Sequence, residues 1–377
     1  MPARAITQLC VITHCQKILW INFSIAFSLP QKILLCILQE VTFIQIPIKL
    51  HDMKFALLSV TYAGLFYSGK ALTIEEQIKK AKQLGFGALA IETKRPIGSP
   101  LDFTRKDYER IRNVASDEGI ELCALESMSN FCSRHMEERE NNLAMMRLNL
   151  EMARDLGINL VKIFAAWPGI IDDEEELAMY APYDRGNYFK PLNSSDLKIW
   201  KRAIDGIREV ADRAADMGIT LALQNHAPVL RPGYEDVLAM LQEVDRTNIK
   251  LCLDVPLFSD RQKSEYVAEA VSKCKDHIVY THYGAWNFKE TNGVIEQEPA
   301  PFHGGYINYE TFIKGLLEIG YDGYLVSEYC LPMIKNHQVE GVEEIDKATI
   351  MGMQYMKKLI ANLSVNNSKN IKEVTLA

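Results

Sequence analysis

The chain has 377 residues, of which 48% are hydrophobic and 24% are charged, a composition typical of a globular protein. At this length it forms either one large domain or two ordinary ones. The formal net charge of −7 argues against nucleic acid or an anionic membrane as the main partner. The eight cysteines form no CxxC pair and no regular framework, so we expect free thiols and a reducing, cytoplasmic setting.

Residues 1–52 differ in composition from the rest of the chain. Their apolar runs, 18–30 and 33–38, are both shorter than the roughly 18 apolar residues that a membrane span requires. A signal peptide would need a small-residue cleavage site, and no clear one is present. Met53 begins a run that leads directly into a predicted strand, so we expect 1–52 to be an extraneous or disordered leader. We expect a catalytic domain over 53–363 and a C-terminal tail over 364–377.

One pattern recurs after Met53: a helix-periodic segment, then a glycine followed by an apolar residue, then a short apolar strand. The glycines of this pattern are Gly85, Gly119, Gly157, Gly218 and Gly320. Each supplies the left-handed residue that closes a helix, and the apolar residue after it packs back on the last helical turn. Such turns indicate repeated βα units and therefore parallel strands.

Eight strands are predicted, which is the number of a barrel and not that of a doubly wound sheet. The predicted strands are Phe55–Val60, Ala88–Ile91, Glu121–Leu125, Leu160–Ile163, Thr220–Gln224, Ile249–Asp254, Ile278–His282 and Tyr324–Glu328. Helical patterns follow them at 72–84, 104–118, 136–156, 195–217, 233–244, 262–274, 309–319 and 341–362. No linker or shift in composition separates a second domain after Met53, so the sequence predicts one (β/α)8 TIM barrel.

The connection after the fourth strand is unusually long. About 30 residues separate Phe164 from Ser194, and a loop of this length in a compact domain is normally a lid or a binding loop. Trp167 and several tyrosines in this loop offer aromatic surfaces that could stack on a sugar. The alternative is that these rings only pack the loop against the barrel.

Polar residues close four successive strands in the C-terminal half: Gln224, Asp254, His282 and Glu328. In a parallel barrel these side chains emerge at one rim, where such barrels carry out chemistry. A lone acid at a strand end often caps the next helix, but four such residues together are hard to explain as caps. Oxygen ligands with one imidazole favour Mn²⁺, with Mg²⁺, Co²⁺ or Zn²⁺ as substitutes.

This arrangement resembles the xylose-isomerase-like superfamily of sugar isomerases and epimerases, over about Met53 to Leu363. The resemblance implies strand ends that read Glu, Asp, His and Glu, with two metal-bound glutamates acting as opposed acid and base. Gln224 departs from that pattern, because an amide lends an oxygen to a metal but accepts no proton. The departure also makes the bound cation a stronger Lewis acid toward a ketone oxygen.

A replacement base stands two residues after Gln224. Strand alternation points His226 in the same direction as Gln224, and an imidazole beside a cation serves as a neutral base near pH 7. The alternative is that His226 orients neighbouring groups. We therefore expect His226 and Glu328 to be the catalytic residues.

Five residues at the predicted rim are candidates for substrate binding: Lys94, Arg95, Glu126, Trp167 and His303. Lys94 and Arg95 follow the second strand, Glu126 ends the third, and His303 lies in a glycine-rich loop after the seventh. Each also has an ordinary structural alternative, such as solvation or helix capping.

Two segments, 61–67 and 92–103, resemble the catalytic α subunits of C-glycoside deglycosidases. That resemblance implies a metal-dependent lyase acting on 3-keto glycosides, paired with a small β subunit. The metal would bind the keto oxygen, His226 would remove the proton at C2, and the aglycone would leave by β-elimination. Two alternatives remain: a ketose 3-epimerase or inosose-type isomerase or dehydratase, and a catalytically inactive sugar-binding or scaffold subunit.

Overall fold

A computed structural model describes residues 53–133, 135–167, 196–227, 229–284, 287–292, 294–298, 306–330, 332, 334–335 and 337–374. The expected leader 1–52, most of the long loop after the fourth strand, and His303 lie outside the described residues. None of the helices within the described part combines the length and the apolar character that crossing a membrane requires.

The described residues form twelve strands. They are β1 Lys54–Leu58, β2 Ala88–Glu92, β3 Glu121–Glu126, β4 Leu160–Ile163, β5 Thr220–Gln224, β6 Ile249–Cys252, β7 Ile278–Gly284, β8 Asn287–Thr291, β9 Val294–Glu298, β10 Tyr324–Glu328, β11 Ile334–Lys335 and β12 Gln338–Val339. Eight of them close a barrel in the order β1-β10-β7-β6-β5-β4-β3-β2. All barrel neighbours are parallel, which confirms the predicted (β/α)8 TIM barrel.

Eight α-helices surround or follow these strands. They are α1 Ile74–Leu84, α2 Arg105–Glu118, α3 Met136–Leu156, α4 Asp196–Asp216, α5 Glu235–Val244, α6 Ser264–Cys274, α7 Tyr309–Glu318 and α8 Val342–Val374. Because α8 continues to Val374, the predicted boundary at 363 falls inside a helix. The count of eight refers to the described residues.

The turns from helix to strand form as predicted, with a left-handed glycine that closes the helix. At the end of α3, Gly157 has a φ of 76° and donates its N–H to the carbonyls of Ala153 and Arg154. The start of α1 is fixed by a capping box, in which the side chains of Thr73 and Glu76 each bond the other residue's backbone N–H. Local capping chemistry thus sets where these helices begin and end.

Two strands differ from their predicted bounds in a way that affects the rim. β1 ends at Leu58, because the chain turns into a 3-10 helix over Ser59–Tyr62. β6 ends at Cys252, so Asp254 lies two residues beyond the strand and immediately before a 3-10 turn.

Two hairpins follow barrel strands and were not predicted. β8 and β9 pair antiparallel after β7, and β11 and β12 do so after β10. The barrel strands themselves are almost wholly buried; all five residues of β2 are buried, for example. This is typical of parallel strands that helices cover.

Candidate metal centre

Three of the four predicted ligands meet in the structure. His282 Nδ1 lies 2.8 Å from Asp254 Oδ2 and 3.2 Å from Gln224 Nε2, and Gln224 Nε2 donates to Asp254 Oδ2. The backbone N–H of His282 also donates to Asp254 Oδ1 at 2.7 Å. All three residues are at most 3% exposed. Three separate strands thus bring a carboxylate, an imidazole and an amide to one buried point.

The fourth predicted ligand, Glu328, stands at the edge of this cluster. Its Oε2 lies 3.9 Å from His282 Nδ1, and 31% of its side chain is exposed. Desolvation raises the pKa of Glu328, and the nearby Asp254 adds to this while His282 opposes it. Glu328 is therefore the member of the set with access to both the cluster and solvent.

Cys252 joins the cluster and was not among the predicted ligands. Its thiol lies 3.5 Å from Asp254 Oδ1 and 3.9 Å from His282 Nδ1, and candidate ligand atoms of these three residues all lie within 4.8 Å of one another. The sequence carried a signal for it, since Cys252 is two residues before Asp254 and alternation brings both to the barrel interior. Burial raises the pKa of this thiol.

A divalent cation fits the donors that converge here. Gln224 Oε1 is buried and has no hydrogen-bond partner among the described residues. Rotating the amide by 180° would turn this oxygen toward Asp254 and His282, and the two ends of an amide have nearly the same shape. Two carboxylates, an imidazole and an amide oxygen form the donor set that suits Mn²⁺ or Mg²⁺.

The charges around the cluster also fit a dication. Four carboxylates and two ammonium groups line the inner mouth of the described barrel: Glu92, Glu126, Asp254, Glu328, Lys94 and Lys162. With His282 neutral, their formal sum is two negative charges, because each lysine offsets one carboxylate. Burial alone would lower the pKa of His282, but Asp254 and Glu126 raise it, so without a cation a proton on this imidazole offsets one of the two charges. The remaining surplus is costly where it is buried, and a divalent cation in place of the His282 proton would bring the formal sum to zero.

Asn225 fixes the position of Asp254. Its Nδ2 donates to the Asp254 carbonyl at 3.1 Å, and its Oδ1 accepts from the Asp254 N–H at 2.8 Å. Because β6 ends at Cys252, these two hydrogen bonds take the place of strand pairing at Asp254. The residue after Gln224 on β5 thus holds the neighbouring ligand in place.

Glu126 does not lie at an open substrate surface. Its side chain is 1% exposed; Oε1 is 2.8 Å from His282 Nε2 and accepts from Tyr280 at 2.9 Å, while Oε2 is 3.0 Å from Lys162 Nζ. Burial alone would raise the pKa of Glu126, but His282 and Lys162 lower it to about 2. These contacts favour a supporting role for Glu126 over the expected bond to a sugar hydroxyl.

His226 stands beside the cluster, within reach of its charges. Its Nδ1 lies 2.6 Å from the Ala227 carbonyl, and its ring packs edge-on against Phe164 and Trp167. Desolvation lowers the pKa of His226 to about 4, and the positive charge of Lys162 contributes to this. The imidazole is therefore neutral at pH 7 and carries its proton on Nδ1.

The other residues expected to bind substrate differ in burial and in partners. Trp167 stacks on Phe164, with ring centroids 4.7 Å apart, and borders His226. Lys94 is largely buried, and its Nζ is 3.2 Å from Glu92 Oε2. Arg95, in contrast, has 68% of its side chain exposed and pairs with Asp102 on the surface. His303 lies outside the described residues.

The buried lysine Lys162 was missed because its sequence context hides it. It lies within the apolar strand β4, where a lysine usually extends to solvent, yet it is 2% exposed and sits 3.7 Å from the centroid of the Phe164 ring. An ionisable residue in the middle of a strand predicted to be buried was the available signal.

Comparisons with known proteins agree with the barrel fold. The pattern of the family described as xylose isomerase-like TIM barrel matches residues 78–358, more than half of the chain. A ketose 3-epimerase of Arthrobacter globiformis is 28% identical over 272 residues, which cover 70% of this chain and 81% of that protein. The finer resemblance to C-glycoside deglycosidases is not supported, because the curated proteins that match are ketose 3-epimerases.

Solved structures show the same fold at low identity. A D-psicose 3-epimerase in the presence of D-fructose superimposes with a TM-score of 0.61 at 17% identity, covering 82% of this chain and 99% of that one. A xylose isomerase-like TIM barrel protein from Mycobacterium smegmatis, in complex with magnesium, gives 0.61 at 18% identity, with coverages of 83% and 98%. Barrel topology and the family match over residues 78–358 lead to one conclusion: the chain belongs to the xylose isomerase-like TIM barrel family.

Proposed function

We propose that this protein is a divalent-metal-dependent epimerase that moves a proton at the carbon next to the ketone of a sugar. The observation that carries the proposal is the buried convergence of Gln224, Asp254 and His282, with Glu328 at its edge. Relatives named as ketose 3-epimerases support the epimerase over the lyase that the resemblance of segments 61–67 and 92–103 implied.

Gln224, Asp254, His282 and Glu328 would hold the metal, with Cys252 close by. When bound, a divalent cation polarises the ketone and makes the proton on the adjacent carbon more acidic. The oxygen-rich donors favour Mn²⁺ or Mg²⁺, and a structural relative in complex with magnesium supports the latter.

His226 would remove the proton. Because its Nδ1 donates to the Ala227 carbonyl, Nε2 is the nitrogen that holds the lone pair and accepts a proton. Packing against Phe164 and Trp167 fixes the plane of the ring. A base held in one tautomer and one orientation needs little reorganisation before proton transfer.

Glu328 would return a proton from another direction. It lies on β10, and β5, which leads to His226, lies three strand positions away around the barrel. With 31% of its side chain exposed, it can exchange a proton with solvent between turnovers. His226 and Glu328 thus replace the two opposed glutamates that the family resemblance implies.

The rest of the rim would bind the sugar. Trp167 and Phe164 form an aromatic wall beside His226, a surface on which the apolar face of a sugar ring packs. Lys94 supplies a largely buried ammonium group beside Glu92, which could donate to a sugar hydroxyl. Arg95 is paired with Asp102 and contributes least to this surface.

A lyase acting on 3-keto glycosides is the second candidate, and Gln224 is the observation that favours it. Elimination needs one base and one Lewis acid, so the amide at 224 removes nothing that this reaction requires. This candidate alone would involve a small β subunit as a partner.

Proton exchange in D₂O separates the candidates. The manganese-loaded protein is incubated with D-fructose or D-psicose, and we expect deuterium at C3 together with the 3-epimer. Asp254→Ala should lose metal and exchange together, whereas Asp205→Ala, an exposed acid on α4, should keep both. Release of the aglycone from a 3-keto glycoside without exchange on either ketose would favour the lyase. Absence of both reactions, with metal bound, would reject both candidates.

A further inference from the structure

The buried ion pair formed by Glu126 and Lys162 contacts the candidate metal centre at one atom, Nε2 of His282. Glu126 Oε1 lies 2.8 Å from His282 Nε2, and Glu126 Oε2 lies 3.0 Å from Lys162 Nζ. All three side chains are at most 2% exposed. Apolar residues of similar size would often be at least as stabilising as a buried ion pair, so stability alone is a weak reason for its presence.

The hydrogen-bond partners of His282 indicate which of its ring nitrogens carry hydrogen. An ionised carboxylate only accepts hydrogen bonds, so His282 Nε2, which faces Glu126, must carry a hydrogen. Nδ1 faces the carboxylate of Asp254 in the same way, so both ring nitrogens donate while no cation is bound. A cation held by Asp254 and Gln224 would take the place of the hydrogen on Nδ1 and leave Nε2–H as the donor to Glu126. Tyr280 donates a further hydrogen bond to the same Glu126 oxygen and completes the set of donors.

We propose that Glu126 and Lys162 are positioning residues that fix the tautomer and the ring orientation of His282, and thereby set the affinity for the divalent cation. Glu126 acts on the ring directly, and Lys162 acts through Glu126. Because the two charges offset each other, the pair orients the ring without changing the net charge beside the metal. The proposal rests on the metal centre of the proposed function and extends it to two residues outside the ligand set.

The double variant Glu126→Leu with Lys162→Met provides the decisive test. Either single substitution leaves one buried charge without its partner and is expected to fold poorly. The double variant removes both charges, retains all four proposed ligands, and replaces the pair with apolar side chains. Tyr280→Phe is the matched control, since it removes one donor to Glu126 but leaves the contact between Glu126 and His282.

Two measurements are made on folded protein: titration calorimetry with Mn²⁺, and long-range ¹H–¹⁵N NMR of the histidine rings in the Zn²⁺-loaded state. For the double variant we expect metal affinity to fall about 10- to 100-fold, as is usual when a partner of a ligating histidine is removed. The signal of the Nε2–H tautomer of His282 should also be lost or mixed with the other tautomer. Tyr280→Phe should keep that signal and an affinity close to that of the parent.

The outcomes separate this proposal from the one on which it rests. A double variant that binds Mn²⁺ as tightly as the parent and keeps the Nε2–H tautomer would overturn the role of the pair alone. A parent protein that binds no divalent cation would overturn the proposed function and the role of the pair together.

Discussion

Gln224 lacks the negative charge that a glutamate would carry, and this lowers the negative charge of the buried site. With Gln224 as an amide and His282 neutral, the described carboxylates and lysines at the mouth carry a formal surplus of two negative charges, which a dication balances. A glutamate at this position would add a third charge at the same buried point, beside Asp254. The amide is therefore consistent with a retained metal site and does not indicate a degraded one.

A substitution at His226 tests the proposed removal of the proton by one side chain. His226→Ala should leave the metal content unchanged while kcat falls by roughly 10² or more, the usual effect of losing a general base. Metal analysis and steady-state kinetics on the same preparation measure the two effects separately. His277→Ala is the matched control, because His277 precedes β7 at the opposite end of the barrel and should leave kcat unchanged. Full activity in His226→Ala would show that another group removes the proton.

At the scale of elements, the side chain of Asn225 links the ends of β5 and β6 beyond the last pair of residues at which the two strands pair. Gln224 pairs with Cys252 in the last register position, and Asn225 then bonds both backbone groups of Asp254. The metal centre thus depends on how one strand end holds its neighbour, and not only on the ligands themselves.

Asn225→Ala tests this link. Loss of two buried hydrogen bonds should lower the free energy of unfolding by about 1–3 kcal/mol, and the freed Asp254 should bind Mn²⁺ more weakly. Denaturant unfolding and calorimetry measure the two effects. Asn248→Ala is the control: its side chain also makes two hydrogen bonds to the backbone, by donating to the carbonyls of Ala211 and Ile219, but it lies just before the start of β6. It should lose stability and keep its metal affinity. Equal metal affinity in both variants would contradict the positioning role of Asn225.

At the scale of the whole molecule, the barrel collects charge from several strands into one buried mouth, so the metal should stabilise the entire fold. A ligand that binds only the folded state adds about 2.7 kcal/mol when its concentration is about 100 times Kd. We expect Mn²⁺ to raise the thermal midpoint of the parent and a chelator to reverse the rise. Asp254→Ala should show no such shift. A midpoint that does not respond to Mn²⁺ in the parent would show that the cluster holds no cation.

The sequence was most informative where structure is local. The apolar runs of β2 to β5 and the glycine that ends α3 follow from periodicity and capping, which act over a few residues, and their predicted bounds lie within a residue or two of the observed ones. The hairpins β8–β9 and β11–β12 were missed, because they interrupt connections that carried no strong alternation.

The sequence by itself determined the barrel and the shared rim of Gln224, Asp254, His282 and Glu328, because eight consecutive βα units predict a closed barrel whose strand ends meet at one rim. Only the tertiary structure decided that Lys162 is buried, that Glu126 supports His282, and that Arg95 turns away to Asp102. The reason is that these contacts join residues whose separation along the chain carries no periodic signal. The partners of Glu126, which are Lys162 and His282, become its neighbours only when the strands pair and close around the barrel axis.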